Sequence, residues 1–230
     1  MNKQFRSIGV VGFLLLAATA AFAEDAALPN EAVELQKKAE QLKSYKASFS
    51  LAAKEENGKE FKMEGTMIYQ KPDHRRLEMK ETGTEGAPQQ LVSDGKTEWQ
   101  YYPEGKAAYK INNPPAAPGP HRAFADIKPG TVRFLGKTGD GLSFEAEPQP
   151  NVVEQAPVKV EKVRLVLDEN NGLIKSMALM GENGEEVLTQ KFFDIETNIA
   201  VPDDTFRFTL PEGVSVMEVP VPGTEAVAEQ

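Results

Sequence analysis

The chain has 230 residues, a formal charge of −9 and no cysteine. That length lets one domain bury a core unaided, and the lack of cysteine excludes a disulfide scaffold. The acidic balance speaks against nucleic acid, which requires a basic surface, and disfavours static adhesion to anionic lipid headgroups.

The first residues read as a secretory signal peptide. Lys3 and Arg6 make a basic start, Ile8 to Ala20 is apolar, and Ala21-Phe22-Ala23 is a small-x-small cleavage site before Glu24. The apolar run is too short and wrongly flanked for a membrane span. Cleavage is expected after Ala23, and no cysteine follows to take a lipid anchor. Export without disulfides suits the periplasm. The reading is a leader over 1–23, one domain over 24–219, and a disordered tail over 220–230.

An amphipathic helix comes first. Asn30 is placed to cap it, and Leu28, Ala32, Leu35, Ala39 and Leu42 step by four and three onto one face. The period then drops to two. Tyr45, Ala47, Phe49, Leu51 and Ala53 alternate along one strand, and Asn57-Gly58 predicts a hairpin turn. Phe61, Met63, Gly65, Met67 and Tyr69 continue the apolar face on the next. Leu77, Met79, Leu91, Trp99 and Tyr101 also fall on alternate positions within their runs. Residues two apart point to the same side of a strand, so these groups are expected to line one face with Met67. The other face receives Glu64, Gln70, Arg76, Glu78, Lys80, Glu98 and Gln100.

Four prolines between Asn112 and Pro120 forbid a ladder there, and Arg122 to Ile127 suits one short helical turn. Strands resume at Val132 and Phe134 and at 142–146. A loose loop follows over 148–157, then further strands through Ile195 and a last short one at Phe206 and Phe208. About a dozen short strands with few helices describe a mainly β, antiparallel meander.

Little in the chain suggests bond-making chemistry. Neither His74 nor His121 has a second histidine or any cysteine with which to share a metal. No nucleophile elbow or phosphate-cradling loop occurs. The expectation is a protein that is not an enzyme and carries no cofactor.

The signal peptide, the amphipathic helix, GTMIYQKP (Gly65 to Pro72), LVSDGKTEWQYYP (Leu91 to Pro103) and FRFTLPEGV (Phe206 to Val214) together resemble the periplasmic outer-membrane lipoprotein carrier, or LolA-like, family. The resemblance implies a sheet curled into an incomplete (half) barrel, with short lid helices over its apolar concave side. It implies a monomeric carrier that takes a lipoprotein from an inner-membrane release complex, shields its acyl chains, and yields it to an outer-membrane acceptor. Each methylene hidden from water is worth about 0.8 kcal/mol, so such chains need an escort. Methionine and aromatic side chains make an adaptable lining. The lining is therefore expected from Phe49, Met67, Tyr69, Leu77, Met79, Trp99 and Tyr101. The family commonly has an arginine that helps hold the lid shut where this chain has Lys71, and Arg75 is a possible substitute for contact with the lid or a headgroup. A carrier of another lipid, or an envelope sensor that binds a protein, is the alternative.

Overall fold

The computed structural model describes residues 28–54, 58–114, 119–155 and 159–219. The expected leader, the tail and the Asn57 half of the first turn lie outside them. Helix α1 spans Asn30–Gln41. The strands follow as β1 (Ser44–Lys54), β2 (Glu60–Gln70), β3 (His74–Glu81), β4 (Gln89–Asp94), β5 (Thr97–Tyr102), β6 (Ala107–Asn112), β7 (Arg133–Lys137) and β8 (Leu142–Ala146). Helix α2 (Pro150–Gln155) precedes β9 (Lys162–Leu167), β10 (Ile174–Met180), β11 (Glu186–Thr197) and β12 (Ser215–Val219). The strands form one open sheet, ordered β12-β6-β5-β4-β3-β2-β1-β11-β10-β9-β8-β7. It is mainly β, as the alternating pattern foretells, and not closed into a barrel, as the family resemblance implies. Its residues divide into two compact units.

The first unit holds α1, the far ends of β1 and β2, and residues 119–155 and 159–192. Ala32, Leu35 and Ala39 form the buried stripe of α1. Pro29, not Asn30, occupies the cap position, and no side chain caps the helix. A turn seats the helix instead. Gly172, at φ +75°, passes so close that a Cβ there would lie 2.0 Å from the Leu35 carbonyl oxygen. Only glycine tolerates both that backbone and that approach. Lys38 Nζ donates to the Glu169 carbonyl at 2.6 Å from the other side of the same turn. Strands β8, β9 and β10 supply Phe144, Val163, Leu165, Leu167 and Leu179 to the core.

Two local expectations change here. The segment from Arg122 to Ile127 is a run of turns, not a helix, closed by Arg122 N–H to Gly119 O (2.9 Å) and Ala125 N–H to Arg122 O (3.1 Å). Pro120 and Pro129 bracket it too closely for a helical ladder. It is pinned by a bridge between Ile127 and Pro148. Gln149 adds two bonds, its N–H to Asp126 O and its side-chain amide to Ala125 O, both 3.0 Å. The second change is α2, which lies inside the stretch read as a loose loop. Pro150 opens it at a first-turn position, where no N–H is required.

The second unit holds the start of β1, most of β2, strands β3 to β6, and the chain from Phe193 onward. The pairings β2–β3, β3–β4, β4–β5 and β5–β6 are antiparallel. Residues 198–214 form no strand, contrary to the expectation for Phe206 and Phe208; they make a band across one face. The band starts where the Ser44 hydroxyl donates to Ile199 O at 2.7 Å. It passes β3, where Arg76 donates to Thr205 O at 3.3 Å and Phe206 meets His74 with ring centres 5.3 Å apart. It then covers β5 with Phe208, whose ring centre is 5.3 Å from Trp99 and 5.8 Å from Tyr101. Having crossed the sheet, the chain returns as β12, parallel to β6. That strand was not expected, because its residues Ser215 to Val219 are all exposed and show no alternation of burial.

Candidate functional site

Cross-strand partners share a face, so the registers fix what the second unit presents on each side. Tyr69 faces Arg75, Arg75 faces Ser93, and Ser93 faces Glu98. One step on, Met67 faces Leu77, Leu77 faces Leu91, and Leu91 faces Gln100. Gly65 faces Met79 in the next row. From β1, the Tyr45 ring stacks on Tyr69 with centres 5.2 Å apart, and Phe49 lies over Gly65. A Cβ on Gly65 would come within 2.7 Å of the Phe49 ring and 2.2 Å of the Glu78 carbonyl oxygen. Gly65 is thus the seat of the Phe49 ring.

These rows bring Phe49, Met67, Tyr69, Leu77 and Met79 together, joined by Met63 and Leu91. All are between 2% and 6% exposed. Hiding each such side chain stabilises the fold by about 1.5–3 kcal/mol. Burial, with Tyr69 alongside, pushes the Tyr45 hydroxyl well above its ordinary range. Tyr69 donates its own hydroxyl proton to Pro72 O at 2.9 Å.

Trp99 and Tyr101 stand elsewhere. Trp99 pairs with Val92 and Tyr101 with Gln90, which places both on the opposite face, under Phe208. The cause is the β4–β5 turn. Asp94 Oδ1 accepts the N–H groups of Lys96 (2.9 Å) and Thr97 (2.7 Å), with Gly95 at φ +82° between them. This compact turn pairs odd-numbered residues of β4 with even-numbered ones of β5. Alternation within each run is right, but the two runs are out of phase. Glu98 and Gln100, expected outside, therefore join the Met67 face.

That exchange builds a polar border to the apolar field. Arg75 and Glu98 are two strands apart, about 10 Å at ordinary strand spacing. The small, buried Ser93 between them leaves room for the guanidinium to reach across. Arg75 Nε donates to Glu98 Oε2 at 2.9 Å, and its Nη2 contacts the same oxygen. Gln100 Nε2 donates to Glu98 Oε1 at 2.7 Å. Arg75 and Glu98 are both buried, so Arg75 is a fixed part of the face rather than a side chain reaching into solvent. Lys71 is exposed in the β2–β3 turn, and its N–H donates to Lys43 O at 2.9 Å. Among the described residues, no cluster of histidine, cysteine or acidic side chains could hold a metal. None of their helices is long and apolar enough to cross a membrane.

Sequence reasoning missed Tyr45, Glu98 and Phe208. Glu98 carried a signal: in TEWQYY it is the only charged residue, so it had to answer Arg75 once the phase of β5 was known.

Comparison with known proteins places the chain in a family. A family profile described as "Outer membrane lipoprotein carrier protein LolA" matches residues 40–209. An outer-membrane lipoprotein carrier protein of Dechloromonas aromatica (strain RCB) is 30% identical over 182 residues, covering 76% of this chain and 81% of that one. Among solved structures, an uncharacterized conserved protein from Thermus thermophilus shares the fold at TM-score 0.55 and 10% identity, covering 83% of this chain and all of that one. The Pseudomonas aeruginosa MucA/MucB complex gives TM-score 0.47 at 17% identity, over 78% of this chain and 60% of that one. The profile spans all of β1 through β11, the Met67 face included, and the chain belongs to the outer membrane lipoprotein carrier (LolA) family.

Proposed function

We propose that this protein is a periplasmic carrier that holds the acyl chains of lipoproteins against the Met67 face and delivers them from the inner to the outer membrane. The observation that carries this reading is the unbroken apolar field of Phe49, Met63, Met67, Tyr69, Leu77, Met79 and Leu91. Its two aromatic rings and three thioethers can repack around a flexible chain without a rigid mould. The field is closed to water in this conformation, so loading requires it to open. Binding by burial alone forms no bond, and release is then governed by what the acceptor offers in exchange. The inner-membrane release complex and the outer-membrane acceptor are the partners this reading requires.

The test is native mass spectrometry of protein purified from the periplasm, with extraction of whatever it holds. Acyl-bearing lipoprotein supports the reading, and a phospholipid alone would make the protein a carrier of another lipid. A bare protein whose uptake of lipoprotein is unchanged by Met67→Glu would sink it.

A further inference from the structure

We infer that the edge strand β7, with the cations beside it, is a docking surface for the anionic face of a lipid bilayer. The chain is acidic overall, yet β7, β8 and β9 put three cations around one acid. Arg133, Glu145 and Arg164 sit in register across the three strands. Glu145 contacts Arg133, takes Lys162 Nζ at 3.1 Å, and lies 3.5 Å from Arg164. The acid is underneath: its side chain is 10% exposed, against 66%, 49% and 45% for Arg133, Lys162 and Arg164. Its charge is secure, because the hydrogen bonds and charges of Lys162 and Arg133 hold its carboxyl below the usual range despite burial. What solvent meets here is therefore cationic.

The apolar half of the surface lies on β7 itself, which reads Arg-Phe-Leu-Gly-Lys. Phe134 is 37% and Leu135 50% exposed, between Arg133 and Lys137. The register slips between Phe134 and Gly136, which leaves Leu135 as the extra residue of a bulge. β7 ends the sheet, so among the described strands only β8 pairs with it. Phe134 pairs with Phe144 and turns to the other face, its ring centre 5.3 Å from that buried ring. The bulged Leu135, exposed and flanked by long cationic side chains, matches the headgroup boundary: its apolar tip sinks in and the charged ends reach for phosphate. Lys137 is partly answered by Glu169 at 2.8 Å, and Asp140 is exposed in the adjoining turn. The excess charge thus lies toward Arg133, Lys162 and Arg164. The acidic remainder of the protein does not cancel it, because charges more than about 8 Å apart in water are largely screened at physiological salt. Such contact is weak and reversible.

This inference does not rest on the carrier reading: adhesion through β7 needs no cargo, and a carrier could hold acyl chains without it. The chain has no cysteine, so Leu135→Cys gives a single site for an environment-sensitive dye. Val216→Cys, exposed on β12, is the control. Vesicles of phosphatidylglycerol and phosphatidylethanolamine should blue-shift the dye at 135 and leave it unchanged at 216. The shift should vanish with phosphatidylcholine alone, and also in about 1 M salt, where screening acts within about 3 Å. In co-sedimentation, Arg133→Gln with Arg164→Gln should weaken binding at least roughly fivefold, with an unchanged circular dichroism spectrum. Equal shifts at both positions, equal binding to neutral vesicles, or full binding by the double variant would overturn the inference. Binding of an acidic peptide along β7 with no shift on vesicles would overturn it as well.

Discussion

Arg75 and Glu98 meet over Ser93, with Nε 2.9 Å from Oε2, on the same face as Met67 and Leu77. A buried pair of this kind is expensive to break and often cheap to replace outright. Glu98→Gln should cost about 3–5 kcal/mol in urea unfolding, because it strands the guanidinium without its counter-charge. Arg75→Met with Glu98→Leu should recover most of that. A double variant as unstable as the single one would show that the two groups do not act as a unit.

Gly65 carries a prediction of the opposite kind, in which a methyl group is added. Gly65→Ala has nowhere to put its Cβ between the Glu78 carbonyl and the Phe49 ring. Overpacking of this kind costs about 1–3 kcal/mol. Adding Phe49→Leu should return part of the loss. An alanine variant as stable as the parent would mean that the Phe49 ring is not seated on this residue.

Trp99 is the only tryptophan, and it reports on the face away from Met67. Filling the Met67 face with an acyl probe should leave its emission nearly unchanged. Phe208→Ala should shift that emission to the red by uncovering the indole. A large response to the probe, with none to Phe208→Ala, would put the tryptophan on the Met67 face.

Asp126 predicts a pH dependence. Burial raises its carboxyl to about 6, only partly offset by Arg122, and its Oδ1 has no hydrogen-bond partner. A carboxyl raised in the folded state favours folding fully below its unfolded value near 3.8, and that contribution is lost as pH climbs through about 6. Asp126→Asn, which cannot ionise, should therefore gain up to about 2 kcal/mol over the parent at about pH 8 and almost nothing at about pH 3. Urea midpoints across that range decide it. A gain that does not change with pH would exclude the carboxyl as its source.

Much of the architecture is legible because burial writes itself into the sequence at period two. Met63, Met67, Tyr69, Leu77 and Met79 announce their strands and their shared face, since the turn from β2 to β3 keeps the numbering in phase. The turn at Asp94-Gly95 reverses that phase, and nothing inside either run records the reversal. The placement of Trp99 and Tyr101 was lost at that one turn. Phe206 and Phe208 look like a strand because their rings are two apart; in fact they secure a crossing segment by ring contacts. β12 has no pattern to read, since its place depends on backbone pairing with β6 and hardly on side chains. α2 is too short for a helical period to emerge.

The band over residues 198–214 has a mechanical consequence. It is tied to β1 at Ser44, to β3 at Arg76 and His74, and to β5 at Trp99 and Tyr101 before it joins β6. Any spreading of these strands to make space on the far side would stretch this strip or slide Phe208 along its aromatic bed. On the proposed carrier reading, the stiffness that a guest must work against is therefore set behind the sheet, on the side away from Met67. Grip and release would then be retuned from there, one ring at a time, with the Met67 face left unchanged.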